Sequence, residues 1–62
     1  MTAATATIYW RVVVVSGHDY PPTEIDVMTP CSRAQAGRKA ARWMEARNPG
    51  REFVVGQIEK VA

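Results

Sequence analysis

Residues 29–50, TPCSRAQAGRKAARWMEARNPG, decide the fold. The stretch opens on Thr29-Pro30, a capping residue followed by a proline suited to the first helical position. Ser32 is the alternative cap. It closes on Asn48-Pro49-Gly50, a helix stop. Between these signals Ala34, Gly37, Ala41 and Met44 recur at helical spacing, joined by Ala40 and Trp43. This face is small until its last turn, so the helix can lie close to a sheet. Trp43 and Met44 are expected to fill the wider end, with Trp43 packed against a strand. Gly37 in a helix interior costs ~1 kcal/mol against alanine, which points to a close backbone contact there.

Strand-like runs flank this helix. Residues 6–15 read as a long first strand rich in β-branched and aromatic side chains. Alternation puts Ile8, Trp10, Val12 and Val14 on one face, and Tyr9, Arg11, Val13 and Val15 on the other. Both faces are largely apolar, as in a central strand covered on two sides. Ser16 to Pro22 reads as a loop, with Gly17 and Pro21-Pro22 as its markers. Thr23 to Met28 reads as a second strand in which Ile25 and Val27 oppose Glu24 and Asp26. One-sided charge suits an edge strand. Glu52 to Val61 reads as the third, with Phe53 and Val55 on one face, Val54 and Ile58 on the other, and Gly56 as a bulge marker.

The order is β-β-α-β, an α+β fold in a single domain over residues 1–62, with residues 1–5 expected to be flexible. The short loop makes the first two strands antiparallel, and the helix forms a right-handed crossover. The third strand then fits beside the first. This gives a three-stranded mixed sheet of order 2-1-3 with the helix on one face. The other face carries either Tyr9, Val13 and Val15 or Ile8, Trp10, Val12 and Val14. One helix cannot cover both, and a second copy of the chain is the simplest cover.

Size points the same way. A chain of 62 residues buries only ~60% of the surface its unfolded form exposes. The lone Cys31 and lone His18 can furnish neither an internal disulfide nor a four-ligand zinc site. No metal or cofactor is expected. The start of the chain lacks the basic and apolar regions of a signal peptide, and the longest apolar run, Val12 to Val15, is far short of a membrane span. A soluble cytoplasmic protein is expected.

Residues that carry chemistry are few. Cys31 in a first helical turn would have its thiol pKa lowered by the helix dipole; the plainer reading is a small residue packed at a helix start. His18 is its natural base, but a strand of ~20 Å separates them, and a catalytic hydrogen bond needs roughly 3 Å. Glu24, Asp26, Glu52 and Glu59 form neither a paired acid–base site nor a calcium loop, and there is no phosphate-binding glycine loop. The expectation is a protein that is not an enzyme.

Two surfaces remain. Tyr9, Trp10, Val13 and Val15 on the first strand, with Tyr20 at a proline-stiffened loop tip, are the candidate protein interface. The partners expected are a second copy of the chain and another protein. Arg33, Arg38, Lys39 and Arg42 form the candidate nucleic-acid contact. From Arg33 to Arg47 five basic residues face Glu45 alone, a local charge of +4 in a chain of +2. The plainer reading is a solvated face offset by Glu24, Asp26 and Glu59.

The Val12–Val15 run, the Ala34–Ala41 stretch and Asn48-Pro49-Gly50 give the chain a look that resembles the small uncharacterised proteins of high-GC actinobacteria and their phages. The resemblance implies an accessory role of the phage type, such as binding or inhibiting a host protein. It transfers no functional residue. A structural part in a virion or other assembly is the further alternative.

Overall fold

In a computed structural model, which describes residues 7–62, the elements are β1 (Trp10–Ser16), β2 (Tyr20–Val27), α1 (Arg33–Arg47) and β3 (Val54–Lys60). The expected flexible segment 1–5 and residue 6 of the expected first strand lie outside the described residues. The sheet order is β2-β1-β3, with the long valine strand in the centre. Both ladders are antiparallel. The sheet is therefore antiparallel throughout rather than mixed: β2 and β3 run the same way, but each is bonded only to β1. Tyr9 lengthens the central strand by one step. Its N–H donates to the Val27 carbonyl at 2.9 Å, and its own carbonyl accepts from Val61 N at 2.9 Å.

The helix covers the β1 face that carries Trp10, Val12 and Val14. Val12 and Val14 are fully buried, in a core completed by Val27, Ala36, Ala40, Met44 and Phe53. Tyr9, Arg11, Val13 and Val15 fall by alternation on the face away from the helix. Of the two arrangements left open by the sequence, this one places the bulkier aromatic against the core.

Ser32, not Thr29, is the N-cap. Its hydroxyl accepts from Gln35 N at 3.2 Å and the Gln35 side chain accepts from Ser32 N at 3.0 Å. This reciprocal box satisfies two donors that a helix start leaves bare, an advantage Thr29 lacks. Pro30 and Cys31 therefore precede the helix. Asn48 caps the other end: its backbone and side-chain N–H groups both donate to the Met44 carbonyl. Gly50 then takes a left-handed φ of 85°, which glycine adopts without steric cost.

The buried helical stripe is Ala36, Gly37, Ala40 and Met44. Ala34 is exposed and Ala41 only half-buried. Alanines stand on several sides of this helix, so periodicity alone orients it poorly. Gly37 settles the matter. A Cβ placed there would lie 3.1 Å from Ile58 Cδ1 and 3.3 Å from Val55 Cγ2, so the backbone rests directly on β3. Trp43 is turned to the flank and is 47% exposed, contrary to the expectation that it packs on a strand. The Arg47 guanidinium covers its ring at 3.9 Å instead.

Two bulges set which side chains reach the core. On β3, Val13 pairs with Gln57 but Val14 with Val55, leaving Gly56 unpaired. The extra residue shifts the two-residue period. Val55 and Ile58, three positions apart, thereby both face the helix, and Val54 is left outside. On β2, Val14 pairs with Thr23 but Ser16 with Tyr20, so Pro21-Pro22 oppose Val15. Prolines, which lack an N–H, are tolerated in a bulge on an edge strand. The connection between β1 and β2 is consequently only Gly17–Asp19, and Tyr20 lies within β2, its ring 5.3 Å from Phe53 in an edge-to-face contact.

Candidate functional site

The open face of the sheet is built from the side chains that α1 does not reach. Val13 and Val15 stand half-buried in the central strand, beside Val54 of β3, which is 63% exposed. Gly56 keeps this patch low. Its missing side chain leaves Val15 Cγ1 uncovered, for a Cβ there would sit 3.8 Å from it. Toward the Trp10 end of β1 the face turns polar. Arg11 Nε bridges Asp26 at 3.0 Å and Glu24 at 3.3 Å. The hydrogen bond to Asp26, then the charges of Asp26 and Glu24, raise the Arg11 pKa above its ordinary value. Glu59 lies opposite Arg11 on the β3 side. The open face thus has an apolar half and a charged half with three carboxylates around one guanidinium.

The five interface candidates divide. Tyr9, Val13 and Val15 belong to the open face. Trp10 and Tyr20 pack against the core on the helix side. The Trp10 indole donates to the Cys31 carbonyl at 2.9 Å, and the Arg33 guanidinium lies 5.5 Å from its ring centroid. Tyr20 is held by Phe53 and by Arg51, 5.0 Å from its ring. Alternation alone assigns Trp10 correctly to the face opposite Tyr9. Tyr20 changes sides because of the proline bulge.

The four basic candidates also divide. Arg33 folds back, donating to the Ile58 carbonyl at 2.7 Å. Arg38, Lys39 and Arg42, with Gln35, line a shallow polar depression on the outer side of α1. Arg38 and Lys39 each lie three or four residues from Gln35 and from Arg42, which puts the group on one side of the helix. None of them makes an ion pair among the described residues. Of the three acids expected to offset them, Glu24 and Asp26 are occupied with Arg11, and Glu59 lies opposite Arg11 in the sheet.

Cys31 is half-buried just before the N-cap and is not in the first helical turn. His18 is exposed in the turn at the opposite end of β2, so the two stay apart along the strand as their spacing indicates. Among the described residues no three His, Cys, Asp or Glu side chains come together as metal ligands, and no helix is long and apolar enough to cross a membrane.

Arg51 has a role that nothing in its sequence neighbourhood announces. It grips the Asp19 carboxylate with both Nη atoms, at 2.8 and 3.2 Å, and also donates to the Ser16 carbonyl at 3.2 Å. Ser16 Oγ donates to the Glu52 carbonyl at 2.6 Å. These bonds tie the β1–β2 turn to the connection between α1 and β3. The arginine hydrogen bond is the first cause of a lowered Asp19 pKa, followed by a backbone hydrogen bond and the Arg51 charge.

Compared with known proteins, the chain matches no family model, no curated protein and no solved structure.

Proposed function

We propose that this protein is a small non-catalytic interaction module of the cytoplasm that pairs with a second copy through the open face of its sheet. The observation that carries the reading is the exposed Val54 beside Val13 and Val15 on the side away from the helix. Val54 is the most exposed of the large apolar side chains among the described residues, and a two-fold contact lets one patch serve on both partners. The charged half suits the same geometry, since Arg11 of one copy can meet the surplus carboxylates of the other. The compositional resemblance suggests a phage-type setting, in which the pair binds or inhibits a host protein.

Sedimentation velocity across a concentration series tests the pairing, with Val54→Lys as the disrupting change at an exposed site. Dimer for the wild type and monomer for the variant is the expected result. A wild type that stays monomeric at every concentration sinks it. A nuclease-treated pull-down then seeks the host partner.

A second reading is nucleic-acid binding by Arg38, Lys39 and Arg42. It is favoured by their freedom from ion pairs among the described residues. Such cations contribute affinity by displacing condensed counterions from phosphates.

A further inference from the structure

The helix does not sit symmetrically on the sheet. Gly37 lets its backbone settle onto Val55 and Ile58 of β3. A groove of about 380 Å³ opens on the other side, between α1 and β2. Ile25 and Val27 line it from the strand, Ala40 and Trp43 from the helix. Since β2 ends the sheet, its outer backbone groups have no strand partner among the described residues. Pro21-Pro22 blunt the start of that edge, because neither has an N–H to offer. Thr23–Val27 is the stretch left to pair.

We propose that this groove binds an extended segment of another protein, which adds to β2 as a fourth strand and alternates basic with apolar residues. The groove lies on the helix side of the sheet, and only the basic positions of the added strand reach the charged half of the open face; the strand addition does not depend on the pairing proposed above. Strand addition draws affinity from main-chain hydrogen bonds and specificity from pockets for alternate side chains. The apolar positions of the added strand lie over Ile25 and Val27, against the exposed ring of Trp43. The intervening positions fall on the opposite sheet face, beside Glu24 and Asp26. Those two carboxylates share the single Arg11 guanidinium, which leaves a negative surplus for a lysine or arginine to meet. Lys39 lines the groove from the helix side, across the sheet from these basic positions.

The same charges speak against a second copy as the occupant. Antiparallel pairing of two β2 edges about Ile25 sets Glu24 of each copy opposite Asp26 of the other, and like charges directly opposite destabilise a ladder.

The test uses the full chain, isotopically labelled for NMR, and three short synthetic peptides. One alternates lysine and valine. The second has the same sequence with alternate backbone nitrogens methylated on the side that faces β2. The third alternates glutamate and valine. The lysine–valine peptide is expected to shift the amides of Thr23–Val27 and the indole of Trp43. Methylation, the glutamate exchange and Trp43→Ala should each weaken it about tenfold or more, the scale of losing an anchor at an interface. Trp43 is exposed, so that variant keeps its fold, checked by unchanged Val12 and Val14 methyl signals. Equal binding of the methylated peptide, equal binding of the glutamate peptide, or shifts confined to Arg38 and Arg42 would overturn the proposal. So would concentration-dependent shifts of Thr23–Val27 without peptide, which would place a second copy on the edge.

Discussion

Gly37 and Ile58 fix how closely the helix approaches the sheet: a Cβ on Gly37 would stand 3.1 Å from Ile58 Cδ1. Two effects compete when Gly37 becomes alanine. Helix propensity gains ~1 kcal/mol, while forcing a methyl into a filled contact costs ~1–3 kcal/mol. The stiff, β-branched Val55 at 3.3 Å leaves little room to yield, so overpacking prevails. Gly37→Ala is expected to destabilise by about 1 kcal/mol net. Ile58→Val deletes the nearest atom, and in that background the same change should cost less by ~0.5 kcal/mol or more. Urea unfolding of the four proteins in the cycle measures this. Equal costs in both backgrounds would show that the contact does not set the approach.

The two caps offered by the sequence are separable by mutation. Ser32→Ala removes an acceptor from the helix start and should cost ~1 kcal/mol. Thr29→Ala should change the unfolding midpoint hardly at all, because Thr29 lies before the cap. A loss at Thr29 matching that at Ser32 would contradict the capping box.

Acid tests the Arg51–Asp19 tie. The folded Asp19 pKa lies below the ordinary 3.8, so the native state holds its proton less tightly than the unfolded chain. The tie therefore contributes its full stability above pH 3.8 and loses it as pH falls through the lower, folded value. Wild type and Asp19→Asn should differ at pH 7 and converge toward pH 2 in thermal unfolding. An NMR titration of the Asp19 carboxyl should move up in Arg51→Gln. An unchanged midpoint in that variant would remove the arginine as the cause.

For the basic helix, salt is the informative variable. If Arg38 and Arg42 contact phosphates, their double alanine variant should flatten the salt dependence of nucleic-acid binding by about two in slope. Arg33→Ala should leave the slope alone and lower stability instead, since Arg33 is held by Ile58 and Trp10. Fluorescence anisotropy across a salt series reads the slope. Absence of binding at low salt disposes of the nucleic-acid reading.

Element order, the central place of β1, the edge position of β2 and the helix between β2 and β3 were legible in the sequence, because each rests on a local pattern. What was not legible depends on phase. A single extra residue at Gly56, and another at Pro21-Pro22, move Val55, Ile58 and Tyr20 to faces that strict alternation denies them. Gly56 was visible as a bulge marker, but which neighbours it would turn inward depends on pairing with a strand far along the chain. Helix rotation was hidden for a related reason: with Ala34, Ala36, Ala40 and Ala41 all small, only the contact of Gly37 with β3 distinguishes the inner side. Of the candidate interface, Tyr9, Val13 and Val15 kept together. Arg51 and the Trp43 groove had no sequence signal, since both arise from segments brought together only by the fold.

The position of β1 between its two partners has a consequence during synthesis. A ribosome delivers β1 and β2 early and β3 last. The hairpin of β1 and β2 needs only the Gly17–Asp19 turn to close, and short loops close fastest. Until residues 54–60 emerge, Val12–Val15 presents a bare, uncharged, β-branched edge, the composition from which intermolecular zippers grow. Once β3 docks, β1 is paired on both sides, and the sheet's margins are β2, blunted at its start by Pro21-Pro22, and β3, interrupted by the Gly56 bulge. The nascent chain is therefore most vulnerable to aggregation just before its final strand arrives.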